Sequence, residues 1–475
     1  LEEELTAREF KVKEFLVSKK SLERILARYA DLSFTAESKA GVFIVAPEIL
    51  AKLTQKSATR TELKKEFDTA TTEHSLDRIS LILEILFAGA FALRASDIHL
   101  EPGGEKTLLR LRIDGLLSDT YSFDPKTYHQ LNSRIKLLSG VKLNITNRAQ
   151  DGRFSAEGGS ASGGSKKEVE VRASFIPGSF GESIVLRILD PETTKVPYTE
   201  LGIHPKLLAR LEKEIRRPNG MLLTTGPTGS GKTTTLYSFL REIHTPEIKI
   251  ITIEDPVEYH LDGIVQTQVE GKKYTFAEGL KSIVRQDPDI IMVGEIRDGE
   301  TANIAIQAAL TGHFVFSTLH TNNAAGTFPR LADLGADTKS FGSAVSVSMA
   351  QRLVRKLDPD KKKERQLTDD EKTMIAKILE PLADKSLLPE KIEKVWEPNP
   401  ANEDETGYRG RIGLYEAIFM DDELAHFLRD NPPENEIAKL ASKQGYLTMA
   451  QDGVLKALAG VTSLPEVLAT VDLPR

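Results

Sequence analysis

The chain has 475 residues, 28% charged and 40% hydrophobic, with a formal net charge of -7 and no cysteine. That length supports two or three domains with full cores. The lack of cysteine excludes disulfides, thiol nucleophiles and thiolate metal sites, and fits a reducing cytoplasm; the acidic balance excludes a global pull toward nucleic acid or anionic membrane. The longest apolar stretch, Ile79 to Leu93, is broken by Glu84 and stops at Arg94, short of the ~20 apolar residues a spanning helix needs. The chain opens at Leu1, and no stretch reads as a signal peptide.

Residues 1–74 read as charged, mostly helical patches (SLERILARYA, PEILAKLTQK) with no chemical motif, a short packing or docking segment. From about Leu76, SLDRISLILEILFAGAFAL predicts a helix, and strand-like alternation follows in SDIHLEP, TLLRLRIDGLL, VEVRASFIP and SIVLRIL. Together they predict a sheet-rich α+β domain over 75–196. The run GGSASGGSKK, Gly158 to Lys167, has linker composition and predicts a flexible hairpin loop within it.

Residues 197–475 predict an α/β domain. MLLTT, KIITIE, IVQTQV, DIIMVGE and FVFSTLH are short apolar runs separated by helical segments, the pattern of a mostly parallel sheet covered by helices. The charged, proline-punctuated stretch 356–405 predicts an exposed insertion, and 414–475 a closing bundle of short helices.

Within that domain MLLTT runs directly into GPTGSGKT, Gly226 to Thr233, and TTLYSFL continues as a helix. Strand, glycine loop and helix in that order are the setting of a phosphate-binding loop. Gly226, Gly229 and Gly231 let successive N–H groups point into one concavity that suits phosphate oxygens. Pro227, Thr228, Ser230 and Thr234 complete the loop and the first helical turn. Lys232 is expected to reach the β and γ phosphates, and the Thr233 hydroxyl to complete the shell of a bound Mg2+. ATP binding is the expectation.

Such a loop needs an acidic strand end opposite it. In DPDIIMVGEIRD, Ile290 to Val293 predict a buried strand with Glu295 just past its end, 63 positions after Lys232. Glu295 is the first choice for activating water or contacting the metal. Its rival is Glu258 in ITIEDPVEY, which gathers Glu254, Asp255 and Glu258 after another apolar strand. In TGHFVFSTLHTN, His320 at a strand end is a candidate γ-phosphate sensor, and His313 at the other end a weaker one.

GPTGSGKT, EDPVEYHLDGIVQTQV, RQDPDIIMVGEIRD and TGHFVFSTLHTN together resemble the Walker A, Asp-box, Walker B and His-box set of the type II secretion and type IV pilus assembly ATPases, the hexameric bacterial secretion ATPases like general secretory pathway protein E. The resemblance extends through RASDIHLEP, RLRIDG, AQDGRF and GESIVLRILD upstream, and QRLVRKL, TGYRGRIGLYE and QDGVLKALAGVTS downstream, about 400 residues in all. It implies a RecA-like P-loop motor domain preceded by an α+β, PAS-like domain and ended by a helical region. It further implies a homo-hexamer on the cytoplasmic face of the inner membrane, held there peripherally through a platform protein. ATP then sits between the two domains, and arginines of the first close over its phosphates. The matching positions are Arg172 and Arg187, with Arg285 a weaker candidate; a guanidinium suits charge spread over γ-phosphoryl oxygens.

Two departures stand out. The family's four-cysteine zinc site has no counterpart, Asp358 and Asp404 occupying neighbouring positions, so no structural zinc is expected. The region before the sheet-rich domain is short for the family's first N-terminal domain. Competing expectations are a RecA-like nucleic-acid motor, a pilus retraction ATPase and a scaffold that binds ATP without turnover. The acidic balance and the lack of an aromatic, basic single-strand platform oppose the first, so no nucleic-acid partner is expected. Retention of the insertion opposes the second. The presence of Lys232, Thr233, Glu258 and Glu295 opposes the third.

Overall fold

The computed structural model describes residues 18–20, 42–55, 59–72, 77–158, 167–190, 195–271, 273–382, 384–389, 392–402 and 404–472. The expected serine–glycine loop and the SLERILARYA segment lie outside the described residues.

Strands β1 (Val42–Val45), β2 (Ala95–Pro102), β3 (Thr107–Ile113), β4 (Leu116–Phe123), β5 (Gln150–Gly158), β6 (Lys167–Gly178) and β7 (Gly181–Leu189) form one sheet in the order β1-β5-β6-β7-β2-β3-β4. Its pairs are antiparallel except β1 with β5. Alternation along the strands sends Ile98, Leu100, Leu109, Leu111, Val171, Ala173, Ile184 and Leu186 into the core. The helix Arg78–Ala92 shares that core and buries Ile82, Leu83, Ile85, Leu86 and Phe87. It is apolar nearly all round because the helices Pro47–Gln55 and Arg60–Thr72 also lie against it. The close crossing depends on Gly89, where an added Cβ would fall 2.5 Å from the buried Leu63 side chain. Because β1 pairs with β5 and the helices at 47–72 enter the same core, residues 42–72 pack with those after 77, across the division expected at residue 74.

The second sheet holds β8 (Gly220–Thr225), β9 (Ile250–Glu254), β10 (Val265–Gln268), β11 (Ile290–Val293), β12 (Phe314–Leu319), β13 (Val345–Leu357) and β16 (Tyr408–Phe419), in the order β10-β9-β11-β12-β8-β13-β16. All its pairs are parallel except β13 with β16. Every residue of β8, β9, β11 and β12 is buried, as expected of a parallel sheet covered on both faces.

Two expectations are corrected here. Residues 414–419 belong to β16, not to the closing helices, which begin at Asp422–Phe427. The long strand β13 needs a partner, and the segment from Tyr408 supplies one with its apolar residues buried. The insertion is exposed only in part. Between β14 (Lys362–Gln366) and β15 (Lys394–Pro398) runs the helix Asp369–Leu379, and Leu367, Ile375, Ile378, Leu379 and Val395 join the core of the second sheet. Its charges gather on the outer side, where Arg365 pairs with Glu371 at 2.6 Å and Glu397 at 3.1 Å.

Candidate active site

Parallel strands bring their carboxyl ends to one edge of a sheet, where open α/β sheets place their ligands. The segments singled out in the sequence leave the sheet there: Gly226 after β8, Asp255 after β9, Gly294 after β11 and His320 after β12. Gly226, Gly229 and Gly231 take φ of 151°, 80° and 87°, values that favour glycine. Gly231 then starts the phosphate-loop helix Lys232–Ile243 with no side-chain cap, leaving its first N–H groups directed at the loop. Lys232 Nζ donates to the Gly226 carbonyl at 2.7 Å and the Pro227 carbonyl at 3.1 Å. Burial pushes this ammonium down to about 8; the Glu295 carboxylate opposes the shift and Arg352 adds to it. A cation so placed gains from incoming phosphate oxygens.

Glu295, its side chain 13% exposed, accepts from Arg297 Nη2 at 2.5 Å and lies 3.3 Å from His320 Nε2. Arg297 also reaches Asp255 at 3.9 Å, so one guanidinium spans two acidic segments. His320 is held by its neighbour: the Thr321 N–H donates to Thr225 Oγ1 at 2.8 Å, at the end of β8. Glu295, His320 and Lys232 therefore share one environment. Sequence reading missed Arg297, although it stands two residues after Glu295 in GEIRD, spaced to sit beside a strand-end carboxylate.

Glu258 meets the N-terminal sheet. Its carboxylate accepts from Arg172 Nη1 at 3.3 Å, while Arg172 Nη2 donates to the Val257 carbonyl at 2.7 Å. Arg187, the cross-strand neighbour of Arg172, donates instead to Asp97 at 3.0 Å, which also pairs with Arg112 at 3.4 Å. Arg172 is thus brought to the Glu258 loop, whereas Arg187 is tied within its own sheet. Of the remaining carboxylates, Glu254 is buried and Asp255 exposed. His313 Nδ1 lies 3.0 Å from the Ala308 carbonyl and closes a helix end; Arg285 donates to Ser282 of its own helix at 3.2 Å.

Strand β13 braces the loop from below. Gln351 Nε2 donates to the Ser230 carbonyl at 2.7 Å, and Arg352 donates to the Gln351 carbonyl at 3.1 Å and the Asn322 carbonyl at 2.7 Å. Both lie in QRLVRKL, which entered the sequence reading only through the resemblance and gave no sign of these polar partners. Among the described residues no cluster of three or more His, Asp or Glu is arranged to hold a metal by itself. The Thr233 hydroxyl and the Glu295 and Glu258 carboxylates are hard oxygen donors, which suit Mg2+ bound by few protein groups together with substrate phosphates and water.

The profile of the family described as Type II/IV secretion system protein matches residues 72–469. The type II secretion system protein E of Xanthomonas campestris pv. campestris is 43% identical over 394 residues, covering 82% of this chain and 67% of that protein. The type IV pilus assembly ATPase TfpB of Acinetobacter baylyi is 40% identical over 416 residues, covering 85% of this chain and 66% of that protein. The chain thus spans about two thirds of the length of these two relatives. Among solved structures, the pilus retraction motor PilT with bound ADP superimposes with a TM-score of 0.53 at 27% identity, covering 82% of this chain and 96% of that one.

Proposed function

The chain belongs to the Type II/IV secretion system protein family, and from that premise we propose that it is an ATP-hydrolysing ring motor driving pilin assembly in a type IV pilus or pseudopilin assembly in type II secretion. The observation that carries this reading is the glycine loop with Lys232, facing Glu295 and its partners His320 and Arg297 on the same sheet edge.

In this reading the loop N–H groups and Lys232 hold the β and γ phosphates. Thr233, Glu295 and Glu258 are the groups that would hold Mg2+, which when bound neutralises phosphate charge. Glu295 takes the proton of the attacking water as its oxygen bonds to the γ-phosphorus and the bond to ADP breaks. His320, touching Glu295, reports whether the γ-phosphoryl is present. Arg172 and Arg187 spread the developing charge; to do so each must leave a carboxylate, Glu258 or Asp97. Exchange of these partners ties the state of the nucleotide to the placement of the N-terminal sheet, which is the work stroke.

The assembly is a homo-hexamer at the cytoplasmic face of the inner membrane, acting on a membrane platform protein. Retention of the insertion favours assembly over retraction. The insertion has no cysteine to hold a structural zinc, and near-stoichiometric zinc in the pure protein would contradict this expectation.

The test uses the full chain. Lys232→Ala should lose binding of a non-hydrolysable ATP analogue, whereas Glu295→Gln should keep it and slow hydrolysis at least about a hundredfold. Wild-type turnover in Lys232→Ala would end the motor reading. The slow phenotype in Glu258→Gln alone would exchange the roles of the two carboxylates.

A further inference from the structure

The phosphate-loop helix and the loop that carries Glu258 are joined by a buried polar chain that the hydrolysis chemistry does not itself use. Tyr237, on the phosphate-loop helix and fully buried, donates its hydroxyl to Glu254 at the end of β9. Glu254 also accepts from Thr252 Oγ1 at 2.5 Å and from Gln266 Nε2 at 3.2 Å. That same amide donates to the Tyr259 carbonyl at 3.2 Å, and Gln266 Oε1 accepts the Leu261 N–H at 2.8 Å. Two residues on, and so on the same side of β10, Gln268 Oε1 accepts the Val257 N–H at 3.3 Å. The ring of Tyr259 meets that of Tyr237 edge-on, with centroids 4.6 Å apart. The loop 257–261 is therefore fastened at Val257, Tyr259 and Leu261, on either side of Glu258.

Burying a carboxylate is costly, and burial does raise the Glu254 pKa, with hydrogen bonds from Thr252, Tyr237 and Gln266 opposing the rise. Apolar side chains would join helix to strand without that cost. They would not fix one loop geometry, because hydrogen bonds between satisfied, buried groups are directional and packing is not. Arg172 of the N-terminal sheet grips this loop at the Val257 carbonyl and the Glu258 carboxylate.

We propose that Tyr237, Glu254 and Gln266 are positioning residues that make the placement of Glu258 and Arg172 depend on the phosphate-loop helix, so that phosphate seated on the loop and the grip of the N-terminal sheet are coupled. The coupling is reciprocal, as linkage requires. This inference rests on the roles assigned above to Glu258 and Arg172.

Tyr237→Phe removes the hydroxyl while keeping the ring against Tyr259, and Gln266→Met removes the amide at nearly constant length. In the assembled full-length protein each should lower kcat about tenfold, the scale of a small misplacement of reacting groups. KM and affinity for a non-hydrolysable analogue should stay within about twofold, the mark of a loss confined to turnover. Combined with Arg172→Ala, the total loss should fall short of the product of the single losses by about threefold or more. Thermal unfolding checks folding, and should Tyr237→Phe fail there, Gln266→Met carries the same test. A folded variant with wild-type kcat, or losses that multiply fully with Arg172→Ala, overturns the coupling alone. Unchanged turnover in both Arg172→Ala and Glu258→Gln overturns the preceding assignment and the coupling with it.

Discussion

Arg172 of the N-terminal sheet grips the loop of the motor sheet that bears Glu258, with one guanidinium nitrogen 3.3 Å from the carboxylate and another donating to the Val257 carbonyl at 2.7 Å. A second contact lies at the end of the β13–β16 pair, near Leu357 and Tyr408, where the Gly410 N–H donates to Asp114 Oδ2 at 3.1 Å. The N-terminal unit thus touches the motor unit both beside the candidate site and on a strand that pairs with β13, which braces the phosphate loop.

Arg172→Ala should leave stability within about 1 kcal/mol, because the ion pair it removes is partly exposed. Hydrolysis should nonetheless fall about a thousandfold if the residue acts as an arginine finger. Turnover measured against protein concentration, alongside a melting curve, separates the two effects. A motor unit beginning near Leu201 should show the same defect while still binding the analogue. Full-rate hydrolysis by that piece or by a dilute monomer would refute closure.

Arg297→Ala should lower kcat by about tenfold or more with little change in analogue affinity, because it frees both Glu295 and Asp255 from their shared cation. Arg297→Lys keeps the charge but not the two-sided reach, and should recover only part of the rate. Steady-state kinetics of the two variants make the comparison, and equal, wild-type rates in both would remove Arg297 from the site.

Nucleotide affinity should depend on pH through Lys232. Its ammonium is held down to about 8 in the free protein, chiefly by burial. Phosphate favours the charged form, so binding is at full strength below pH 8 and weakens as pH rises through that value, by up to about tenfold per unit. Dissociation constants of a non-hydrolysable analogue between neutral and alkaline pH give the profile. Lys232→Arg, charged throughout, should flatten it; a flat profile in the unmodified chain would contradict the assignment.

The Glu of GESIVLRILD should prove structural. Glu182 lies 2.6 Å from Lys136 Nζ with both side chains almost fully buried, and it accepts from Asn132 at 3.0 Å. Glu182→Ala strands a buried ammonium and should cost about 3–5 kcal/mol in denaturant unfolding. Adding Lys136→Met should restore most of that loss. A Glu182→Ala protein of undiminished stability would show the pair to be dispensable.

The sequence by itself determined the phosphate loop, the buried parallel strands and the strand-end carboxylate Glu295, because each depends on contiguous residues: glycines for the turn, an unbroken apolar run for a strand covered on both faces, a charge at its end. Strand alternation likewise announced β2, β3, β6 and β7 of the first sheet, but not β1 or β5. Only the tertiary structure decided which groups meet. Arg172 and Glu258 are 86 positions apart, Arg187 and Asp97 are 90 apart, and Gln351 and Ser230 are 121 apart. Arg172 and Arg187 looked interchangeable as strand arginines; the register that sets Arg187 opposite Asp97 separates them. The same holds for residues 42–72, whose charged helices carry no sign that β1 would pair with β5 or that they would lie against the helix Arg78–Ala92, and for residues 414–419, which become strand because β13 needs a neighbour. Local pattern specifies which face of an element is apolar, whereas partner choice is set by strand order and register, which arise from contacts between distant segments.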